Sequence, residues 1–337
     1  MRVTGGSDLA RLQMLQKQAI ETRNKLDVAG QELATNLKAS RYDATGGNLT
    51  RLFALERSLD RNAVFSQNIS LTETRLDVMQ ESLGRVLGSV QDLSLDLSQA
   101  VGQGDYSTAR LHASTARGNF LANIGTLNAQ VAGQSLFAGT ATDKAALAPG
   151  ADILAQIDAL VAGTTTAAGA SAAIDAYFSK SPPGAFYATG YLGAGADLTP
   201  VQVGEGQQVD YGVRAEDDRL VAVLKAQAKA AVVADGAFTG SQGEQMALLG
   251  TAGAEMIAAR EGVLDLRAEV GVKQEAVERG KAERTSERET LDLARTRIVA
   301  TDPLESASAY QTLQDQLQSV YTVTARLSTL HFLNYMR

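Results

Sequence analysis

Apolar and small side chains recur along the chain at alternating steps of three and four residues. The longest series runs from residue 69 to residue 100 without a break in this spacing. A stripe with that period lies on one side of an α-helix and predicts the seam of a coiled coil or a helical bundle. Its members are Ile69, Thr72, Leu76, Met79, Leu83, Val86, Val90, Leu93, Leu97 and Ala100.

Both ends of the chain carry a seam of the same kind. A helix with one narrow apolar stripe cannot bury it alone, so the two terminal helices are expected to pair in a stem. The last helix is predicted to begin at Pro303, and the final 27 residues carry only three charges. Apolar residues near the tip of such a stem stay exposed, which predicts association with other chains. The expected assembly residues are Leu12, Leu15, Leu26 and Leu33 in the first helix and Leu313, Leu317, Val320, Leu327, Leu330 and Phe332 in the last.

The middle of the chain has a different composition. Four of the five prolines lie between residues 149 and 200, and residues 1–148 contain none. Because proline disrupts helices, the two proline-free flanks predict long helices around an inserted module. Within that module, residues 207–214 alternate polar and apolar and predict a half-buried strand, for which residues 186–192 are a candidate partner.

These patterns predict a mainly α, elongated protein. Its N- and C-terminal helices pair in a coiled-coil or helical-bundle stem, and a small α+β domain is inserted in the middle. Three parts are expected: a stem domain of residues 1–45 and 301–337, a helical rod domain of residues 46–140 and 242–300, and an outer α+β domain of residues 141–241.

Composition removes several classes of function. The chain has no Cys and two His, His112 and His331, so thiolate metal sites, disulfides and cysteine nucleophiles are excluded and a histidine-rich metal site is not expected. A net charge of -7 gives no electrostatic case for binding nucleic acid. There is no run of 18 apolar residues and no secretory signal pattern, so membrane insertion is not expected either. Phosphate-binding, zinc-protease and serine-nucleophile motifs are also missing, and neither catalysis nor a cofactor is predicted.

Four stretches of the chain carry a resemblance to a known family. They are the first helix through Arg41, the helix over residues 59–90, the segment 127–140 and the tail 321–337. In this order they resemble the bacterial flagellin superfamily, and within it the family of hook–filament junction proteins (hook-associated protein 3). The resemblance covers both flanks of the chain. The residues that match the family signature are Asn128, Leu136, Phe137, Gly139, Asn334 and Tyr335.

The resemblance implies a structural role without enzymatic activity or cofactors. The terminal helices of this family form an inner coiled coil, and the central module projects outward. Copies stack with one another and with other axial proteins of the flagellum, namely the hook-side junction protein and flagellin. The resemblance also implies export by the flagellar type III route without a cleaved signal peptide, an export chaperone on the C-terminal helix, and a final location in the extracellular flagellum.

Three other functions stay open at this stage. The chain is also similar to flagellin, the filament subunit, although the tail from Phe332 and the segment 137–139 favour a junction protein. A cytoplasmic signalling coiled coil would share the long antiparallel helices, but it requires unbroken seams up to a tip at the centre of the chain. An enzyme with an unusual site is the third alternative, for which the sequence offers no cluster of convergent polar residues.

Overall fold

The computed structural model describes the backbone of residues 5–335 and the side chains of residues 10–326 except Leu12. Helices make up 73% of the chain and the strands are few and short, which confirms the prediction of a mainly α protein with a small α+β part. In chain order the elements are α1 (Gly5–Thr35), α2 (Arg41–Ala44), α3 (Thr50–Gly102), α4 (Tyr106–Leu127), β1 (Gln130–Val131), β2 (Gln134–Ser135), α5 (Gly150–Val161), α6 (Ala167–Tyr177), a π-helical turn (Phe186–Gly190), β3 (Val201–Gly204), β4 (Gln207–Val209), α7 (Asp218–Ala234), α8 (Gln242–Val299) and α9 (Pro303–Tyr335).

The chain divides into two compact units. The terminal unit comprises Met1–Ala63 and Thr285–Arg337, and the central unit comprises Val64–Arg284. The long helices α3 and α8 contribute residues to both units. The finer division of the sequence into stem, rod and outer domains stays a prediction.

In the central unit, α3 and α8 run antiparallel along each other. Gln80 donates from Nε2 to the carbonyl of Arg267 at 3.3 Å, and Gln274 donates from Nε2 to Oδ1 of Asp77 at 2.7 Å. All ten seam residues between Ile69 and Ala100 are buried. The alternating three-and-four spacing therefore identified the buried side of α3 correctly from Ile69 to Ala100.

Helices α4 and α7 complete a four-helix bundle with α3 and α8. Asn119 on α4 donates from Nδ2 to the carbonyl of Ser89 on α3 at 2.7 Å. Asn123 on α4 donates to Oε1 of the buried Gln227 on α7 at 2.9 Å. Lys229 on α7 forms an ion pair with Glu255 on α8 at 2.6 Å. Gln227 on α7 also donates from Nε2 to Oγ of Ser89 on α3 at 3.1 Å, and Tyr106 on α4 bonds to Gln245 on α8, so polar contacts link all four helices.

An ion pair between the buried Lys229 and the half-exposed Asp175 joins the inserted module to this bundle. The Lys229 side chain is fully buried, and its Nζ lies 2.8 Å from Oδ1 of Asp175 on α6. Burial opposes ionisation of Asp175, but the ammonium groups of Lys229 and Lys225 outweigh it and hold the pKa of Asp175 below its ordinary value. Because the Lys229 ammonium is held between Asp175 on α6 and Glu255 on α8, the pair favours one position of α6 against the bundle.

The strand predictions for the inserted module were only partly correct. A strand does form at Gln207–Val209, but its antiparallel partner is Val201–Gly204, with Val201 opposite Val209. The expected strand at residues 186–192 is wrong, because Phe186–Gly190 is a π-helical turn closed by a 2.7 Å hydrogen bond from Tyr191 N to Phe186 O. The buried Phe186 ring stands 5.0 Å from that of Phe178, so aromatic packing outweighs the strand propensity of this segment.

One carboxyl of α5 is predicted to make stability depend on pH. Burial, together with the carboxylate of Asp235 nearby, raises the pKa of Asp158 to about 6, while Arg117 acts in the opposite direction. The folded state therefore retains a proton that the unfolded chain loses, so stability falls as the pH rises from about 4 to about 6. Asp158→Asn should raise the melting temperature at pH 7.5 by about 2 to 4 °C and leave it nearly unchanged at pH 4.5. Asp143→Asn, at an exposed carboxyl, is the control; equal shifts for the two variants at both pH values would contradict the assignment.

Candidate assembly interface

The two ends of the chain pair in the terminal unit. Thr301 donates its backbone N–H to the carbonyl of Asn36 at 3.1 Å. A Cβ placed on Gly30 would lie 3.2 Å from the ring of Tyr310. As residue numbers fall along α1 they rise along α9, so the two helices are antiparallel. This confirms the predicted pairing of the N- and C-terminal helices.

The seam between α1 and α9 is only partly closed. Of the residues on its two sides, Thr22, Ala29 and Ser306 are buried. The large predicted assembly residues whose side chains are described all remain half-buried: Leu15, Leu26, Leu33, Leu313, Leu317 and Val320. The side chains of Leu12, Leu327, Leu330, Phe332, Asn334 and Tyr335 lie outside the described residues. One partner helix therefore leaves part of each apolar stripe without a cover.

Further apolar side chains of the helix pair are turned away from the seam. Met14 is 73% exposed and Ile20 is 62% exposed on α1, while Tyr321 and Val323 are 52% and 46% exposed on α9. Between residues 311 and 325, Asp315 is the one charged residue. Depletion of charge together with exposed aromatic and aliphatic side chains is typical of the centre of a protein–protein interface. We name this surface, formed by α1 and α9, the stem surface.

The segment after α1 and the segment before α9 leave the helical conformation side by side. Lys38 donates its backbone N–H to Val299 at 2.8 Å, and Leu37 lies opposite Ala300 in an antiparallel bridge. Asn36 takes a left-handed φ of 55°, a conformation in which Asn is enriched among non-glycine residues, and this ends α1. Sequence reasoning predicted the start of α9 at Pro303 but missed this bridge, because each half of it is a short segment without a distinctive pattern.

A hydrogen bond between the buried Asn62 and the half-buried Glu287 holds α3 against α8 within the terminal unit. Asn62 is 1% exposed and donates from Nδ2 to Oε2 of Glu287 at 3.0 Å. A polar residue at a single seam position lowers stability but permits one alignment of the helices, because other alignments leave its polar atoms unpaired. This pair therefore favours one alignment of α3 with α8.

The family-signature residues that the structure describes lie in the central unit, where the chain leaves α4. Asn128 pairs with the backbone of Leu147, donating from Nδ2 to its carbonyl at 3.0 Å and accepting at Oδ1 from its N–H at 2.8 Å. Leu136 and Phe137 are buried, and Gly139 takes a left-handed φ of 60°. These residues shape the exit into the inserted module and are distant in sequence from the stem surface; that they share a functional role stays a prediction.

Replacement of the Asn128 amide is predicted to loosen this exit. Asn128→Ala would leave the N–H and carbonyl of the buried Leu147 without partners, at a cost of about 2 kcal/mol. Urea unfolding followed by circular dichroism measures this loss. Asn119→Ala removes an amide of α4 that donates one hydrogen bond, to the carbonyl of Ser89, and it should cost about half as much. A larger loss of unfolding free energy for the Asn119 variant than for the Asn128 variant would contradict the predicted role of Asn128 in holding the backbone of Leu147.

Two further properties of the described residues bear on function. None of the helices in the described ranges combines the length and the apolar character needed to span a bilayer. Among the same residues, no group of three or more His, Asp or Glu side chains is arranged to hold a metal ion.

Comparison with known proteins identifies the fold. No protein-family model and no curated protein sequence matches the chain. Among solved structures, a protein assigned as a flagellar hook-associated protein of Vibrio parahaemolyticus is similar with a TM-score of 0.50 and 17% identity, over 73% of this chain and 94% of that one. FlgL of Bacillus cereus is similar with a TM-score of 0.51 and 16% identity, over 72% of this chain and 100% of that one. At such low identity the similarity establishes the fold, which this chain shares with these flagellar proteins.

Proposed function

We propose that this chain is a structural subunit of the bacterial flagellum, of the hook-associated type that joins the hook to the filament. The fold shared with a hook-associated protein and with FlgL, a hook–filament junction protein, supports a place among flagellar axial components. The role is structural rather than enzymatic, and it needs no cofactor.

The observation that carries this proposal is the incompletely covered stem surface. Leu15, Leu26 and Leu317 stay half-buried after α1 and α9 have paired, and Met14 and Ile20 point away from the pair. Neighbouring subunits can cover these residues, because burying apolar area contributes about 25 cal/mol per Å² to association. In this proposal the interface includes all ten predicted assembly residues, namely Leu12, Leu15, Leu26, Leu33, Leu313, Leu317, Val320, Leu327, Leu330 and Phe332.

The partners follow from the same role. Further copies of this chain, the hook-side junction protein and flagellin occupy the stem surface in the assembled flagellum. Before assembly an export chaperone covers α9, which protects its apolar residues until the chain leaves the cell by the flagellar type III route. A surface that is complementary to several neighbours without closing on itself generates a ring or a helical stack.

Deletion of the gene in the bacterium that encodes the chain tests the proposal. A junction protein is needed for filament attachment, so the deletion strain should keep its hooks, lack filaments and release flagellin into the medium. Quantitative mass spectrometry of purified flagella from the parent strain should find far fewer copies of this chain than of flagellin. Copy numbers equal to those of the filament subunit would instead identify it as flagellin, and its absence from the flagellar fraction would overturn a flagellar role.

A further inference from the structure

We propose that the cavity between the C-terminal ends of α5 and α7 binds a small alkylammonium ion, whose charge is held by Asp158. The cavity has a volume of about 440 Å³, which is the size of site that takes a small organic ligand. Its lining, which lies entirely within the central unit, includes Asp158, Val161, Thr164, Asp235, Ala237 and Phe238. Such a site is distinct from the stem surface and independent of the proposed function.

The cavity has a negative charge that the chain compensates only in part. Asp235 forms an ion pair with Arg117 on α4, with 2.6 Å between Oδ1 and Nε. Asp158 is half-buried, and among the described residues its carboxylate has neither a hydrogen bond nor an ion pair. Because a carboxylate that is withdrawn from water without a partner is unfavourable, a ligand with one positive charge would supply the missing partner.

Two helix ends add to this negative potential. Helix α5 ends at Val161 and α7 ends at Ala234, and neither has a basic residue in its last turn. Ala162 and Asp235, which directly follow these helices, both line the cavity. The C-terminal end of a helix carries partial negative charge on its free carbonyl groups and favours cations. The field inside the cavity therefore selects a cation over an anion.

The polar groups of the lining are mainly hydrogen-bond acceptors. The hydroxyl of Thr164 donates to the carbonyl of Val161 at 2.7 Å, so its oxygen can only accept from a ligand. The backbone N–H groups of Ala162, Thr164 and Ala237 are bonded to carbonyls of the chain at 2.8 to 2.9 Å. Carboxylate and hydroxyl oxygens remain to meet a ligand. An ammonium group has three donors and no acceptor, so it is the complement of this lining.

The rest of the lining is apolar and includes an aromatic ring. Val161 is buried, and Ala237 and Phe238 are half-buried beside the hydrophobic core. A hydrocarbon chain bound here would be removed from water, and an ammonium group within about 6 Å of the Phe238 ring would gain a cation–π attraction. These residues favour an alkylammonium ion over a metal ion, because a metal ion gains nothing from an apolar lining.

Competition with a proton gives the site a characteristic dependence on pH. Burial, together with the carboxylate of Asp235, raises the pKa of Asp158 to about 6, while Arg117 acts in the opposite direction. Glu244, at the start of α8, accepts from the backbone N–H of Ala167 and does not line the cavity. An alkylammonium ion keeps its charge between pH 5 and pH 7.5, so it competes with the proton for Asp158. Binding should therefore be about tenfold weaker at pH 5 than at pH 7.5.

A titration of the full-length chain with pentylammonium chloride at pH 7.5 tests the site. The methyl signals of Val161 and Ala237 in two-dimensional ¹H–¹³C spectra report on the cavity. 1-Pentanol and sodium pentanoate, which have carbon chains of the same length without the positive charge, are the control ligands. Pentylammonium should bind at least tenfold more tightly than either. Similar affinities for all three ligands, or no shift of these signals with pentylammonium, would overturn the inference.

Two variants of α5 with the same change of charge test the role of Asp158. Asp158→Asn should weaken the binding of pentylammonium at least tenfold and remove its dependence on pH. Asp152→Asn, at an exposed carboxyl in the first turn of the same helix, should leave both unchanged. Binding that survives in the Asp158 variant, or that is lost equally in both variants, would also overturn the inference. Neither outcome affects the flagellar role, which the gene deletion tests separately.

Discussion

A carboxylate on the outer surface of α9 is expected to abolish assembly of the chain into flagella. Val323 is 46% exposed and lies in the nearly uncharged stretch of the stem surface, so Val323→Asp should change the stability of the free chain by less than about 0.5 kcal/mol. In an assembled interface the same carboxylate would lose its hydration without gaining a partner, which costs several kcal/mol. Each 1.4 kcal/mol weakens association tenfold, so a loss of about 100-fold or more is expected.

Complementation of the deletion strain measures this effect. The wild-type gene should restore filaments and motility, and the Val323→Asp gene should leave flagellin in the medium although the chain is made and folded. Leu192→Asp is the matched control, because Leu192 is 43% exposed but lies in the inserted module. Filaments restored by the Val323 variant as fully as by the wild type would show that the stem surface is not buried in the assembly.

A methyl group on Gly139 is expected to destabilise the central unit strongly. The left-handed backbone at Gly139, with φ of 60°, costs an L-residue about 1 kcal/mol. A Cβ there would also lie 2.5 Å from the carbonyl oxygen of Ala196 and 2.6 Å from that of Ala194, so the backbone must shift. Overpacking of this kind costs about 1 to 3 kcal/mol more. Gly139→Ala should therefore lower the free energy of unfolding by about 3 kcal/mol.

The chain provides a control that separates the two parts of this cost. Gly104 has a similar φ of 73°, but nothing lies within 4 Å of its added Cβ. Gly104→Ala should therefore show the conformational cost alone, about 1 kcal/mol. Urea unfolding of both variants, followed by circular dichroism at the helical band, gives the comparison. Equal losses at the two sites would mean that the close approach of Ala194 and Ala196 to Gly139 is not maintained in solution.

These two changes address different levels of the molecule. Replacing Val323 is expected to leave the stability of the free chain nearly unchanged and to affect only its association with neighbouring subunits. Gly139 lies between the carbonyls of Ala194 and Ala196, where the chain enters the inserted module, and it acts in the isolated chain. If Val323→Asp abolishes assembly without lowering stability, the stem surface is an assembly interface. If Gly139→Ala lowers stability without abolishing assembly, this family-signature residue serves the fold.

Some long-range features had no signal in the sequence. Asn62 and Glu287 are 225 positions apart and each lies among ordinary polar residues of a long helix, yet they form a part-buried hydrogen bond. Lys229 gave no indication that it would be fully buried between carboxylates from α6 and α8. Such pairs depend on which helices meet and at what level. That is decided by the packing of the whole unit, so a pattern within one segment cannot reveal it.

What the sequence determined by itself is the helical framework and the side of each helix that faces the core. An α-helix repeats every 3.6 residues whatever surrounds it, so the spacing from Ile69 to Ala100 fixed the buried side of α3 before any partner was known. Only the tertiary structure decided that α1 and α9 close their seam incompletely and that residues 186–190 form a π-helical turn instead of a strand. These outcomes depend on contacts between residues far apart in the chain, whose free energy is set by shape and burial rather than by local periodicity.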